Sequence, residues 1–191
     1  MLSKLSKAVA ALAVMIAIGV STPSTAQTLR LNLEQLEQSS DAVVLGRAVH
    51  AESAWTPDRS AILTRVTIQV QDPVTGAPIG EQVLVVPGGQ VGDYIHEVSD
   101  MPTFRVDEVV AVFLTAHPSG EMIVTGGWQG KLDVVQDPAT GEKRVLGASF
   151  LLDDEVKGFA GKHEAEASAA AKTAMSVGDF AQRVRKLKRE R

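Results

Sequence analysis

The sequence predicts a mainly β domain, a small antiparallel barrel or sandwich with helices only at its ends. Three observations predict it. From Ile62 to Val70, Ile62, Thr64, Val66, Ile68 and Val70 alternate with Leu63, Arg65, Thr67 and Gln69, the period of a strand with one buried face. Glu81 to Val86 and Glu108 to Leu114 are apolar on both faces, as central strands are. Turns bearing glycine or proline separate the runs, the pattern of small all-β domains with about seven short strands.

The elements follow in order. Leu33 and Leu36 share one face of a short helix, with Asn32 as N-cap and Ser39-Ser40-Asp41 ending it. Valine-rich Ala42 to Ser53 is the first strand, and Trp55 to Ser60 turns the chain into the alternating strand. The two form a hairpin with one buried face. Met122 to Thr125 and Lys131 to Gln136 are further strands. Gln71-Asp72-Pro73-Val74-Thr75-Gly76 and Gln136-Asp137-Pro138-Ala139-Thr140-Gly141 share the pattern Q-D-P-x-T-G. Proline presets φ and glycine takes the positive-φ position, so both read as reverse turns after a strand. Residues 159–176 read as an alanine-rich, partly helical tether. In 177–191, Phe180, Val184 and Leu187 recur at helical spacing, with Ser176 or Asp179 near the start. The domain itself is therefore expected over 27–158.

Residues 1–26 read as a leader. Lys4 and Lys7 precede a 13-residue apolar run, Ala8 to Val20, and Ser24-x-Ala26 fits a small-x-small cleavage site. The run is shorter than the about 20 residues of a spanning helix. A mature chain starting near Gln27, periplasmic or secreted, is expected. It contains no cysteine, so thiol chemistry and cysteine zinc sites are excluded. Without Lys4 and Lys7, 17 basic residues face 23 acidic ones, a net charge of −6. Arg183, Arg185, Lys186, Lys188, Arg189 and Arg191 make the last 15 residues +4 and leave a body of −10. An acidic body argues against nucleic acid as a partner. The basic tail either docks on the barrel with its charges solvated or meets an anionic membrane surface or acidic partner.

The stretch Ser39 to Val49, with Thr64 to Ile68, Pro87-Gly88-Gly89, Pro102-x-Phe104, Glu108 to Leu114 and Gln129 to Leu132, resembles a group of uncharacterised exported bacterial proteins. Their barrels are similar to OB-like domains of the netrin and metalloproteinase-inhibitor type. The resemblance implies an OB-like barrel. It does not carry over the inhibitors' zinc chelation, which uses an N-terminal cysteine this chain lacks.

No G-x-S-x-G elbow, HExxH or phosphate-loop motif occurs. Ser119 neighbours His117 in a turn, but sequence proximity alone gives no nucleophile. His50 reads as a strand residue, and His96, His117 and His163 as loop residues. They read as scattered surface histidines, and a metal site built from His50, His96 and acidic groups is the alternative. Glycine-rich Pro87 to Gly92 reads either as a mobile turn after a strand or as part of a binding loop on a rigid barrel, that loop being Gly88 to Phe104, the longest strand-poor stretch. Its candidate contacts are Gly88, Gly89, Tyr94, His96 and Phe104, with Tyr94 and His96 removable without loss of stability. Trp128, flanked by glycines, is either a core or rim residue or an exposed stacking surface. No catalytic residue, metal or cofactor is assigned. The expected function is a non-catalytic binding module for a protein, peptide or glycan, accessory to an exported enzyme. The alternatives are a hydrolase or metal-dependent enzyme with an unrecognised site and a membrane-peripheral protein using its tail.

Overall fold

The computed structural model describes residues 30–77, 79–138, 140–147 and 174–190. The expected leader and residues 159–173 of the expected tether lie outside them. Helix α1 (Leu33–Gln38) precedes ten strands: β1 (Ala42–Trp55), β2 (Ile62–Thr75), β3 (Gly80–Pro87), β4 (Gly89–Val91), β5 (Tyr94–His96), β6 (Val109–Ala116), β7 (Met122–Val124), β8 (Lys131–Gln136), β9 (Lys143–Val145) and β10 (Met175–Ser176). A 3₁₀ turn spans Gly127–Gly130, and helix α2 (Val177–Arg189) closes the chain. Among the described residues, no helix is long and apolar enough to cross a membrane.

Five strands close a barrel in the order β1-β2-β3-β7-β6, with β6 returning to β1. Of the barrel or sandwich expected from the sequence, the structure has the small closed barrel, with one difference from an all-antiparallel one. The β3–β7 pair is parallel, Leu84 opposite Met122 and Val85 opposite Ile123. The loop between β3 and β6 carries the chain to the far side of the sheet, and β7 then inserts between the two. From β6 the sheet runs on through β8, β9 and β10.

Two cores flank the barrel wall. The interior holds Val44, Ala48, Val66, Ile68, Val70, Leu84, Val110 and Val112, with Met101 and Phe104 packed against them. The outer core lies between the wall and the two helices. It joins Val43, Leu45, Ala111 and Phe113 to Leu33, Leu36, Phe180 and Val184. The first half of β1 and most of β6 are thus buried on both faces. That is why their sequences read as continuous apolar runs rather than alternating ones. Val83 of β3 is 46% exposed, so β3 does not share the two-faced burial expected of it.

Helix α1 begins on the expected cap, Asn32, whose side chain accepts from Gln35 N while the Gln35 side chain accepts from Asn32 N. In α2, Ser176 is the N-cap and accepts from Asp179 N at 3.1 Å. Phe180 and Val184 are fully buried, and Phe180 meets Phe113 edge-on at 6.1 Å. The C-terminal helix therefore docks on the barrel.

The two Q-D-P-x-T-G segments are not equal turns. Asp137 N donates to Glu142 O at 2.8 Å and Gly141 N to Asp137 O at 2.7 Å, so the second segment turns β8 into β9. The first does not turn. Gln71 to Thr75 continue β2, with Asp72 opposite Leu45, Pro73 opposite Val44 and Thr75 opposite Val43, and with register shifts on either side. Bulges place proline where the ladder needs no N–H from it. Burial of Val74 in the outer core overrides the local turn preference. At the end of the stretch expected to be a tether, Met175 and Ser176 form β10 and pair with Val145 and Arg144.

Candidate functional site

The chain between β3 and β6 is built, not loose. Gly88 and Gly89 start it with φ of +99° and +136°, a region that penalises a Cβ. A Cβ on Gly89 would overlap the hydroxyls of Ser53 and Thr64, and one on Gly88 would meet His96 O. These close approaches seat β4 directly on β1 and β2. Thr64 Oγ1 donates to Gly88 O at 2.7 Å and lies 2.9 Å from Ser53 Oγ. Gly88 N donates to Ile62 O at 2.8 Å. Strands β4 and β5 then pair, Gly89 opposite His96. The stretch expected to be strand-poor thus contains a hairpin, and His96 ends a strand rather than lying on a loop.

Below the hairpin lies a cleft of about 690 Å³, within the range of small-ligand sites. Ala51, Ser53, Thr64, Val66 and Val86 form its barrel wall. Val98, Met101, Pro102 and Phe104 form the opposite wall, and Met101 and Phe104 also plug the end of the barrel interior. Gln90, His96, Glu97, Ser99 and Thr103 supply polar groups. The lining contains no Lys or Arg.

Of the residues expected to bind, Gly88, Gly89, His96 and Phe104 line this cleft. Tyr94 does not. It stands 67% exposed on the hairpin and meets Trp55 edge-on at 5.7 Å. Trp128 is also outside the lining, 43% exposed, its backbone N–H donating to Asp100 O at 2.9 Å. His96 is also structural, because its Nδ1 accepts from the buried Ile62 N at 3.3 Å. That bond makes Nδ1 the unprotonated nitrogen, and it corrects the expectation that His96 is dispensable for stability.

Phe104 is held from behind. Lys131 Nζ lies 5.3 Å from its ring centroid, within reach of a cation–π contact. The same ammonium pairs with Glu108 at 3.1 Å and Asp133 at 2.9 Å. Glu108 Oε1 also accepts from Arg105 N at 3.0 Å, which ties the end of the cleft-forming segment to β8. Sequence reasoning missed Trp55, Ser53, Thr64 and Lys131. The pairing of Ser53 with Thr64 was not within reach, since a hairpin centred on Trp55 to Ser60 would put Ser53 opposite Ile62, whereas the observed turn, Thr56 to Ala61, sets Ser53 opposite Thr64.

His50 and His96 do not form a metal site. Among the described residues, no three His, Asp or Glu side chains are placed to hold a metal ion, and exposed His50 lies 3.7 Å from Glu52. His117 and Ser119 are neighbours in space as well as in sequence, Nδ1 to Oγ 2.8 Å. The group braces a turn. Ser119 N donates to the same Nδ1 at 3.2 Å, and Ser119 Oγ donates to Glu121 Oε2 at 3.3 Å. Glu121 also pairs with Arg65. Its carboxylate reaches the hydroxyl instead of orienting the imidazole, the reverse of a catalytic triad's order.

In the basic tail, Arg185 pairs with Asp72 at 2.6 Å and donates to Val74 O at 3.3 Å. Lys188 lies 3.4 Å from Glu37, and Lys186 pairs with Glu190 at 3.7 Å. Arg183 and Arg189 are exposed, and Arg191 lies outside the described residues. No family model, no curated protein and no solved structure matches this chain.

Proposed function

We propose that this protein is an exported, non-catalytic binding module that takes its ligand in the cleft beneath the β4–β5 hairpin. One observation carries the reading. A cleft of about 690 Å³ with apolar walls and a few polar groups is set on a barrel with cores on both sides of its wall. Such a wall moves little, so loops mounted on it hold a preformed site. The docking of α2 favours this reading over a membrane-peripheral one, because the apolar face an interfacial helix would insert into lipid is already buried on the barrel.

The test is photo-crosslinking from the exported fraction. A crosslinking residue is placed at Gln90, on the cleft, or at Gln182, exposed on α2. The expected result is one saturable adduct from Gln90, none from Gln182, and loss of the Gln90 adduct when Thr103→Trp fills the cleft. Equal labelling from both positions, or indifference to Thr103→Trp, would overturn the proposal.

A further inference from the structure

The cleft has a second recognition element along one side. Strand β1 pairs with β2 as far as Trp55, but with β6 only over Ala42–Arg47. The last link on the β6 side is at Ala48, which donates to Glu108 O at 2.9 Å and accepts from Asp107 N at 2.8 Å. From Val49 to Trp55 the outer edge of β1 has no backbone partner among the described residues.

The phase of that edge follows from two hydrogen bonds. Thr56 N donates to Ala61 O, so Thr56 and Ala61 are a bonded pair across the hairpin. With no register shift from His50 to Trp55, antiparallel alternation directs the N–H and C=O of His50, Glu52 and Ala54 towards β2. Those of Ala51, Ser53 and Trp55 point to the free edge. Ile62, opposite Trp55, turns its C=O the other way, accepting from Gly88 N, which confirms the phase. Ala51 and Ser53 also line the cleft. Ala51 and Ser53 thus combine free main-chain groups with side chains that face the cleft.

We infer that the ligand is an extended, basic peptide that adds to β1 as a new strand along Val49–Trp55 and drops alternate side chains into the cleft. This rests on the cleft being the binding site. Main-chain bonds to Ala51, Ser53 and Trp55 supply affinity, and the cleft selects the side chains two residues apart. The charge preference comes from the walls. Glu97 lines the cleft and the lining contains no Lys or Arg, whereas Glu108 is already paired with Lys131. Adjacent Glu52 adds another carboxylate on the edge strand itself.

The test uses a capped octapeptide of alternating lysine and valine, with a glutamate–valine peptide as comparison. Binding is followed by calorimetry and by amide hydrogen exchange of the full chain. The lysine peptide is expected to bind and to slow exchange at Ala51, Ser53 and Trp55 at least tenfold. His50, Glu52 and Ala54 should be unchanged. The glutamate peptide should not bind. Binding without protection of those three amides, or equal binding of both peptides, would overturn the inference. So would absence of binding at millimolar peptide. If the Gln90 adduct still forms in that last case, the cleft stands as the site and only the peptide assignment falls. If the adduct also fails, both fall.

Discussion

Lys188 on α2 places its ammonium 3.4 Å from Glu37 on α1, and Glu37 is 1% exposed. Among the described residues, neither carboxylate oxygen of Glu37 has a hydrogen-bond partner. The two helices lie far apart in sequence, and this ion pair joins them beside the outer core. A carboxylate so deeply buried depends on the Lys188 cation, because removing a partner leaves an uncompensated charge. Lys188→Met is expected to cost about 2 kcal/mol, at the low end for buried pairs because Lys188 is itself partly solvated. Glu37→Leu combined with Lys188→Met should recover most of it. Urea unfolding of the two variants checks this, and a double variant no more stable than the single one would contradict it.

Phe180 is the main anchor of α2. It is fully buried and meets Phe113 edge-on. Phe180→Ala removes a large ring from a packed site and should cost about 3–5 kcal/mol. Arg185→Ala breaks only the half-exposed pair with Asp72 and should cost under about 1 kcal/mol. Thermal unfolding that ranked Arg185 above Phe180 would mean that charge rather than apolar packing holds the helix.

The glycines of the β4–β5 hairpin should differ sharply. Gly89→Ala drives a Cβ into the Ser53 and Thr64 hydroxyls, whereas Gly92, with φ of +60°, faces open space. Gly92→Ala should cost only the backbone strain, about 1–2 kcal/mol. Gly89→Ala should cost more and open the hairpin, seen as faster amide exchange at Gln90 to His96. Equal exchange profiles would refute the close packing of β4 on β1.

Tyr94 and His96 should separate in stability. Tyr94 is exposed, whereas His96 satisfies the buried Ile62 N–H. His96→Ala leaves that donor unpaired, a cost of about 1–3 kcal/mol. Tyr94→Ala should leave the melting temperature nearly unchanged. Equal melting temperatures for the two variants would show that the His96 bond contributes nothing.

Asp58 sits in the β1–β2 turn, where the Thr56 hydroxyl, then the Ser60 hydroxyl and Ser60 N–H, hold its carboxyl below the ordinary value of 3.8. A depressed pKa in the folded state stabilises the fold fully above the ordinary value, and the gain is lost as pH falls through the lowered one. The effect is therefore confined to acid conditions below about pH 4. An NMR titration should show the Asp58 midpoint rise in Thr56→Val. An unmoved midpoint would remove the hydroxyl as its cause.

Local pattern was enough for elements whose burial is one-sided or helical. The alternation from Ile62 to Val70 gave β2 its inward face, and Phe180, Val184 and Leu187 marked the docking face of α2. The two-faced burial of β6 was also legible, as an unbroken apolar run. Gly88, Gly89, His96 and Phe104 could be picked out because they fall in one long connection between strands. Their grouping into one cleft was not legible, since it depends on where that connection crosses β1 and β2.

The sequence by itself determined which residues are apolar at which period, and hence the β class, the terminal helices and their caps. Periodicity reports which face of an element is buried, and this needs no knowledge of partners. Tertiary structure alone decided the parallel β3–β7 closure, the bulged rather than turned path of Gln71 to Thr75, the Lys188–Glu37 pair and the free edge of β1. Each is a pairing between segments distant in the chain. Local propensity costs at most a few kcal/mol to override, and closing the barrel and filling both of its cores outweighs it.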